Sequence, residues 1–284
     1  MCDARGMTLD VTITGNAMQM AIVKLAPGTT VYSEAGKFLF SSADVQMETK
    51  MTQPSAPGQQ QPEQPGGALG GILRGAMAAG QRMVAGESFA FNHFTTSGGD
   101  GLVAFAGVIP GEMRVLELDG SNTWFAEKDA FIAAEAGVNF GIQFSGLRQG
   151  FSGGEGFILE KFTGRGSVII AGAGNFIDVN PADYGGKLKV DTGCVVAWDD
   201  RITFGIERVG GLSRQGLMNG IFGGEGFSLA TLTGNGRVIL QSMTLGGLAT
   251  ALAKAANTGN SRGGNDNGST GLGSIGSLFG GSRD

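Results

Sequence analysis

Residues Gly154–Val168, GEGFILEKFTGRGSV, return almost intact as Gly224–Val238, GEGFSLATLTGNGRV, and a looser copy, GESFAFNHFTTSGGDGLV, starts at Gly86. The starts lie 68 and 70 residues apart, a period that denotes repeated supersecondary units. Each copy opens on glycine and an acid (Glu87, Glu155, Glu225). Apolar residues then follow at a spacing of two and then three: Phe89, Phe91, Phe94; Phe157, Leu159, Phe162; Phe227, Leu229, Leu232. A spacing of two lines one face of a strand, and the added residue predicts a β-bulge or strand break at the same place in each copy. Thr95, Thr163 and Thr233 come next, then a glycine-rich stretch, then, in two copies, the β-branched runs that begin at Val168 and Val238. Strand, glycine turn and strand predict a hairpin.

A second motif interleaves with the first. SEAGKFLF around Glu34, AEKDAFIA around Glu127 and VDTGCVVAW around Asp191 each set an acid four residues before an apolar anchor (Phe38, Phe131, Val195). A further anchor stands seven residues on (Val45, Val138, Ile202). The acids are 93 and 64 residues apart, a mismatch of 29 that equals the length of Thr52–Gly80, TQPSAPGQQQPEQPGGALGGILRGAMAAG. That stretch has no counterpart in the other copies and holds four of the seven prolines. The expected fold class is therefore all-β: three tandem modules of a β-sandwich or double-stranded β-helix-like kind filling residues 1–256, with one insertion over 52–82.

The insertion begins as a Pro/Gln tract, Thr52–Gly67, which cannot form a packed element. From Leu69 to Val84 the apolar residues keep a helical period with Arg74, Gln81 and Arg82 on another face, which predicts a short amphipathic helix. Its apolar face has to lean on the β core or a neighbouring subunit; contact with a membrane surface through residues 68–85 is the alternative. GGLATALAKAAN, after the third copy, predicts a short terminal helix. Residues 257–284, rich in Gly, Ser and Asn, are too poor in apolar side chains to offset chain entropy and are expected to be a disordered tail.

Composition excludes several functions. The net charge is −5, and no two of the 20 basic residues are adjacent, a poor footprint for binding phosphates. Two cysteines, Cys2 and Cys194, make no disulfide framework and point to a reducing compartment. Met1–Asp10 has neither an apolar h-region nor an Arg/Ser-rich amphipathic pattern, so no secretory or mitochondrial signal is expected. Nothing approaches the roughly 18 consecutive apolar residues of a membrane span. The expected location is the cytoplasm, with the inner face of the membrane as the place of any peripheral contact.

Candidates for chemistry are few. The single histidine, His93, occupies the repeat position of Lys161 and Thr231, so that site accepts unrelated side chains. Cys194 stands where the other copies have Lys37 and Ala130. A nucleophilic triad would have to use His93, and no GxSxG elbow accompanies it. Glu87, Glu155 and Glu225 form one equivalent set of carboxylates, and Glu34, Glu127 and Asp191 another. Three carboxylates brought together could hold a hard cation, yet a residue present in every copy answers a demand every copy shares, such as accepting turn N–H groups. GAGNFI at Gly172 and GGKL at Gly185 are incomplete nucleotide motifs, and CxxC and HExxH are absent. No catalytic, cofactor-binding or metal-binding residue is assigned, and no cofactor. Lys187, Lys189, Arg201, Arg208 and Arg214 form the nearest approach to a basic strip, interrupted by Asp191, Asp199, Asp200 and Glu207, so nucleic acid is not the expected partner.

GESFAFNHFT, GEGFILEKFTGRGSVII, LKVDTGCVVAWDDRITF and GEGFSLATLTGNGRVILQS, followed by a glycine-rich tail, together resemble the AIM (altered inheritance of mitochondria) family over about Leu9 to Leu252, in particular its bacterial branch. The resemblance implies tandem β modules similar to the tryptophan RNA-binding attenuation protein (TRAP-like), assembled as a homotrimer. The mitochondrial members are linked with inner-membrane organisation. It supplies no catalytic residues to carry over. The Pro/Gln tract departs from the family pattern. Residues and resemblance together lead to the expectation of a non-enzymatic oligomeric scaffold with an unidentified protein partner. An RNA- or DNA-binding regulator, by fold analogy, and a metal- or carboxylate-dependent enzyme stand as alternatives.

Overall fold

The computed structural model describes residues 9–54, 90–145, 157–208 and 228–260. The sequence sets of Glu87, Glu155 and Glu225, the predicted helix over 69–84, and the tail beyond 260 lie outside them. Eighteen strands appear among the described residues. The first segment holds β1 (Asp10–Thr14), β2 (Met20–Leu25), β3 (Thr30–Glu34), β4 (Phe38–Ser41), β5 (Val45–Lys50), β6 (Phe91–Thr96) and β7 (Gly101–Ala106). The second holds β8 (Met113–Asp119), β9 (Trp124–Glu127), β10 (Phe131–Glu135), β11 (Val138–Ser145) and β12 (Phe157–Ala171). The third holds β13 (Phe176–Val179), β14 (Lys187–Asp191), β15 (Val195–Asp199), β16 (Ile202–Arg208), β17 (Ser228–Gly234) and β18 (Val238–Gln241). A separate compact unit begins at Gly246 and contains nearly all of the one α-helix among the described residues, α1 (Leu245–Asn260), where GGLATALAKAAN predicts it.

The three segments share one pairing scheme. In each, a central strand is flanked antiparallel by two others: β6 between β3 and β5, the first half of β12 between β9 and β11, and β17 between β14 and β16. The registers correspond, with His93 opposite Tyr32 and Glu48, Lys161 opposite Phe125 and Gly141, and Thr231 opposite Lys189 and Gly205. The chain then continues into a second central strand. It is β7 between β2 and β4, the second half of β12 between β8 and β10, and β18 between β13 and β15.

Two expectations are corrected. The glycine stretch does not fold back into a hairpin: β12 runs for 15 residues straight through Gly164-Arg165-Gly166, and β6 does not pair with β7, nor β17 with β18. It is a corner at which one strand passes from one set of partners to another. Gly164, Gly166 and Gly234 have φ of 100°, 133° and 134°. A Cβ at Gly164 would collide with the carbonyl oxygen of Gly137, and one at Gly234 with that of Arg201. Corner and tight turn both demand glycine at positive φ, so the two look alike in sequence.

The bulge lies elsewhere too. Register is continuous through Phe91–Thr95 and Leu159–Phe162, and it shifts instead in the neighbouring strands, between Phe38 and Phe40, Phe131 and Ala133, and Val195 and Ala197. An odd spacing simply sends Phe91 and Phe94 to opposite faces. Both faces are covered: Phe91 packs with Tyr32, Phe131 and Phe140, Phe94 with Val23, Val31 and Phe105. The third core gathers Leu159, Trp198, Ile202 and Leu232. The segments are tied to one another where β10 pairs with β3 and β15 pairs with β9.

Candidate functional site

Glu34, Glu127 and Asp191 end β3, β9 and β14, opposite Phe91, Leu159 and Leu229. They do not gather into a site. Among the described residues no three His, Cys, Asp or Glu side chains come together to hold a metal ion. Each acid has a separate environment. Glu34 forms an ion pair with Lys37 at 3.4 Å, both side chains largely buried. Asp191 Oδ1 accepts the Gly193 N–H at 2.9 Å and caps the 3-10 turn Thr192–Cys194. Glu127 lies beside Asp129; burial first, then that neighbouring charge, pushes its carboxyl up to about 7.

One further set of acceptors and one single acceptor escape sequence reading. Four residues beyond each first anchor, Ser42, Glu135 and Asp199 accept main-chain N–H groups across the corner. Ser42 Oγ takes Leu102 N–H at 3.0 Å, Glu135 Oε2 takes Ser167 N–H at 2.6 Å, and Asp199 Oδ2 takes Arg237 N–H at 2.8 Å. Three residue types do one job, so no motif marks it; only the fixed offset could have. Burial raises the Glu135 carboxyl. Burial pushes that of Asp199 the same way, but hydrogen bonds from the Arg201 side chain and the Arg237 N–H outweigh it and hold Asp199 low. Glu160, 3% exposed, accepts the N–H groups of Asp129 at 3.1 Å and Phe131 at 2.9 Å. Burial, and next the charge of Glu34, push it well above the usual carboxylate range.

His93 is buried on β6, with Nε2 2.8 Å from the Thr52 carbonyl oxygen. It borders a recess of about 360 Å³, lined also by Thr30, Gln46, Glu48, Lys50 and Gln53. Glu48 and Lys50 neutralise each other at 2.8 Å, and Gln53 is fixed to both the N–H and the carbonyl of Phe140. Burial lowers the His93 pKa, which favours the neutral ring. The Cys194 thiol is half-buried and raised, first by burial and then by Asp191 and Glu127, the opposite of an activated nucleophile.

The basic strip is paired with acids where it is described. Lys187 and Lys189 both bind Glu207, at 2.5 and 2.7 Å, and their hydrogen bonds hold its carboxyl down to about 2. Arg201 pairs with Asp199. The Arg208 side chain and Arg214 lie outside the described residues. No helix among the described residues is long and apolar enough to cross a membrane.

β4 departs from the burial of its counterparts. Phe38, Leu39 and Phe40 are 37, 46 and 46% exposed, whereas the corresponding Phe131, Ile132 and Ala133 of β10 and Val195, Val196 and Ala197 of β15 are at most 2% exposed. An uncovered apolar strand at a sheet edge is a docking surface or an aggregation hazard.

This β architecture matches known proteins. The chain matches the family described as Mitochondrial biogenesis AIM24 over residues 11–243, and it belongs to that family. No curated protein matches it. Among solved structures, the X-ray crystal structure of protein SPYM3_0169 from Streptococcus pyogenes is similar in fold, with a TM-score of 0.61 and 24% sequence identity. The alignment covers 87% of this chain and 99% of that one.

Proposed function

We propose that the protein is a non-enzymatic, homo-oligomeric β scaffold, a homotrimer, whose surface holds another protein in the cytoplasm or at the inner face of the membrane. One observation carries the reading: of the described side chains at the recurring acceptor positions, all but Glu127 are engaged in architecture. Ser42, Glu135 and Asp199 bind main-chain N–H groups, Asp191 caps a turn, and Glu34 is matched by Lys37. A group committed to buried main-chain donors is not available to move protons to a substrate. The matching registers of the three segments support a single β module laid down three times, in keeping with a TRAP-like arrangement. Pairing of Lys187 and Lys189 with Glu207 argues against a nucleic-acid groove. Peripheral membrane contact through residues 68–85 fits the same scaffold.

Light scattering with micromolar protein tests the assembly, with a mass of three chains expected and a stable single chain overturning it. Crosslinking and pull-down from the native cell tests the partner. Stoichiometric recovery of a distinct protein is expected; recovery of salt-sensitive nucleic acid instead would favour the regulator, and a stoichiometric bound metal the enzyme.

A further inference from the structure

Inside the chain, β3 carries β10 with Ser33 opposite Ala133, Tyr32 opposite Ala134 and Val31 opposite Glu135. In the same way β9 carries β15, with Ala126 opposite Ala197, Phe125 opposite Trp198 and Trp124 opposite Asp199. The series then stops. Among the described strands β14, the third member of the β3 and β9 set, pairs only with β17, and β4, the first member of the β10 and β15 set, pairs only with β7. One end of the molecule thus presents the acceptor edge and the other the strand that fits it.

We propose that a second copy of this chain fills both edges. β4 of one copy lies antiparallel on β14 of the next, with Phe40 opposite Val190, Ser41 opposite Lys189 and Ser42 opposite Leu188. The proposal rests on the oligomeric reading above and adds the edges, the register and the head-to-tail polarity. The apolar exposure of Phe38, Leu39 and Phe40 is what such a contact would remove, as it is removed from β10 and β15. Lysines guard bare edges against unwanted pairing, but Lys187 and Lys189 are both drawn onto Glu207 of β16, which leaves the β14 edge open.

A second row of contacts runs in the same direction. Gln19 Oε1 accepts the Met113 N–H at 2.7 Å, and its own N–H reaches the Gly111 carbonyl at 3.1 Å. One segment on, Glu112 Oε2 accepts the Phe176 N–H and its N–H reaches the Gly174 carbonyl, each at 3.0 Å. Asn175 holds the third such position; its own N–H is donated to Ser242 Oγ at 2.8 Å, which leaves its side-chain oxygen for the counterpart donor, the Met20 N–H of the next copy. Met18, the counterpart of Gly111 and Gly174, is 63% exposed at the open end. Head-to-tail contacts of this kind close into a ring when the rotation per copy allows and run on as a filament when it does not.

Directly opposed residues on antiparallel strands are within disulfide reach. In full-length protein carrying Cys2→Ser and Cys194→Ser, a Ser41→Cys chain mixed with a Lys189→Cys chain should, on mild oxidation, give a crosslinked dimer that contains one of each. Neither alone should crosslink. Dimers of Ser41→Cys with itself would mean a symmetric contact and overturn the proposal. Separately, Phe40→Asp, a change at an exposed position, should weaken self-association at least about tenfold in sedimentation, as loss of a central apolar anchor does. Oligomers that persist in Phe40→Asp and give no mixed crosslink would sink these edges and leave the scaffold reading standing; a wild-type monomer would sink both.

Discussion

The junction between the first and second segments and the junction between the second and third use the same strands, yet they treat one carboxylate position in opposite ways. At the first, Glu34 has Lys37 within 3.4 Å in its own segment and Glu160 across the seam. At the second, Glu127 has Ala130 where Lys37 stood, and the third segment offers Ala230 where Glu160 stood. With no lysine at that place, burial drives the Glu127 carboxyl to about 7. The repeated position decides where the acid sits; the unrepeated neighbours decide which charges face it.

The strongest way to break this contrast is to remove Glu160. It is the acceptor for two main-chain donors at the start of β10, and Glu160→Ala leaves the buried Phe131 N–H without a partner, whereas the N–H of the exposed Asp129 can turn to water. A loss of about 3 kcal/mol is expected, since an unsatisfied buried donor costs roughly 1–3 kcal/mol. Urea denaturation at pH 5 measures it, and the second junction, where Ala230 is native, provides the control: Ala230→Gly should leave the start of β15 paired.

Glu127 tests the other half. Its folded pKa is raised, so the fold binds a proton that the unfolded chain releases near pH 4.5. Its contribution is therefore fully present below about pH 4.5 and is lost as pH rises to about 7. Above that, the ionised group opposes folding by on the order of 3 kcal/mol. Glu127→Gln should accordingly match the wild type at pH 4.5 and exceed it by about that amount at pH 8, flattening the pH profile of urea midpoints. An unchanged profile would mean that Glu127 is solvated or that a cation reaches it. Glu34→Gln, by contrast, strands Lys37 and should destabilise the protein at pH 8.

Much of the architecture is legible in the sequence, and the reason is periodicity. The anchors Phe38, Phe131 and Val195 stand at register-equivalent points opposite Phe105, Ile170 and Leu240, and an offset of one would have sent each of them to the other face of its strand. What the sequence hides is partner choice. Gly164 and Gly234 announce positive φ but not whether the strand returns on itself or crosses to another sheet, and only long-range pairing settles that. Corner glycines should therefore behave alike: Gly164→Ala and Gly234→Ala are each expected to cost about 2 kcal/mol from backbone strain and collision with a carbonyl, read as equal drops in urea midpoint. The acceptors Ser42, Glu135 and Asp199 were hidden for a different reason. Hydrogen-bond acceptance by a short or long side chain satisfies the same N–H, so selection of a role leaves no fixed letter.

The smallest expected effect sharpens the comparison most. Asp129 has φ of 74°, the one non-glycine residue at positive φ among those described, at the position that Gly36 fills in the first segment. An aspartate tolerates this left-handed geometry at a cost of about 1 kcal/mol, and here it also sets a negative charge beside Glu127 and Glu160. Asp129→Gly should relieve both, raising stability by about 1 kcal/mol at pH 8 while lowering the Glu127 pKa without returning it to the ordinary value, because burial is the larger cause. Carboxyl titration by NMR separates the two contributions. A Glu127 pKa that fell all the way to the usual range would make Asp129, and not the missing lysine and the burial it leaves uncompensated, the origin of the difference between the junctions.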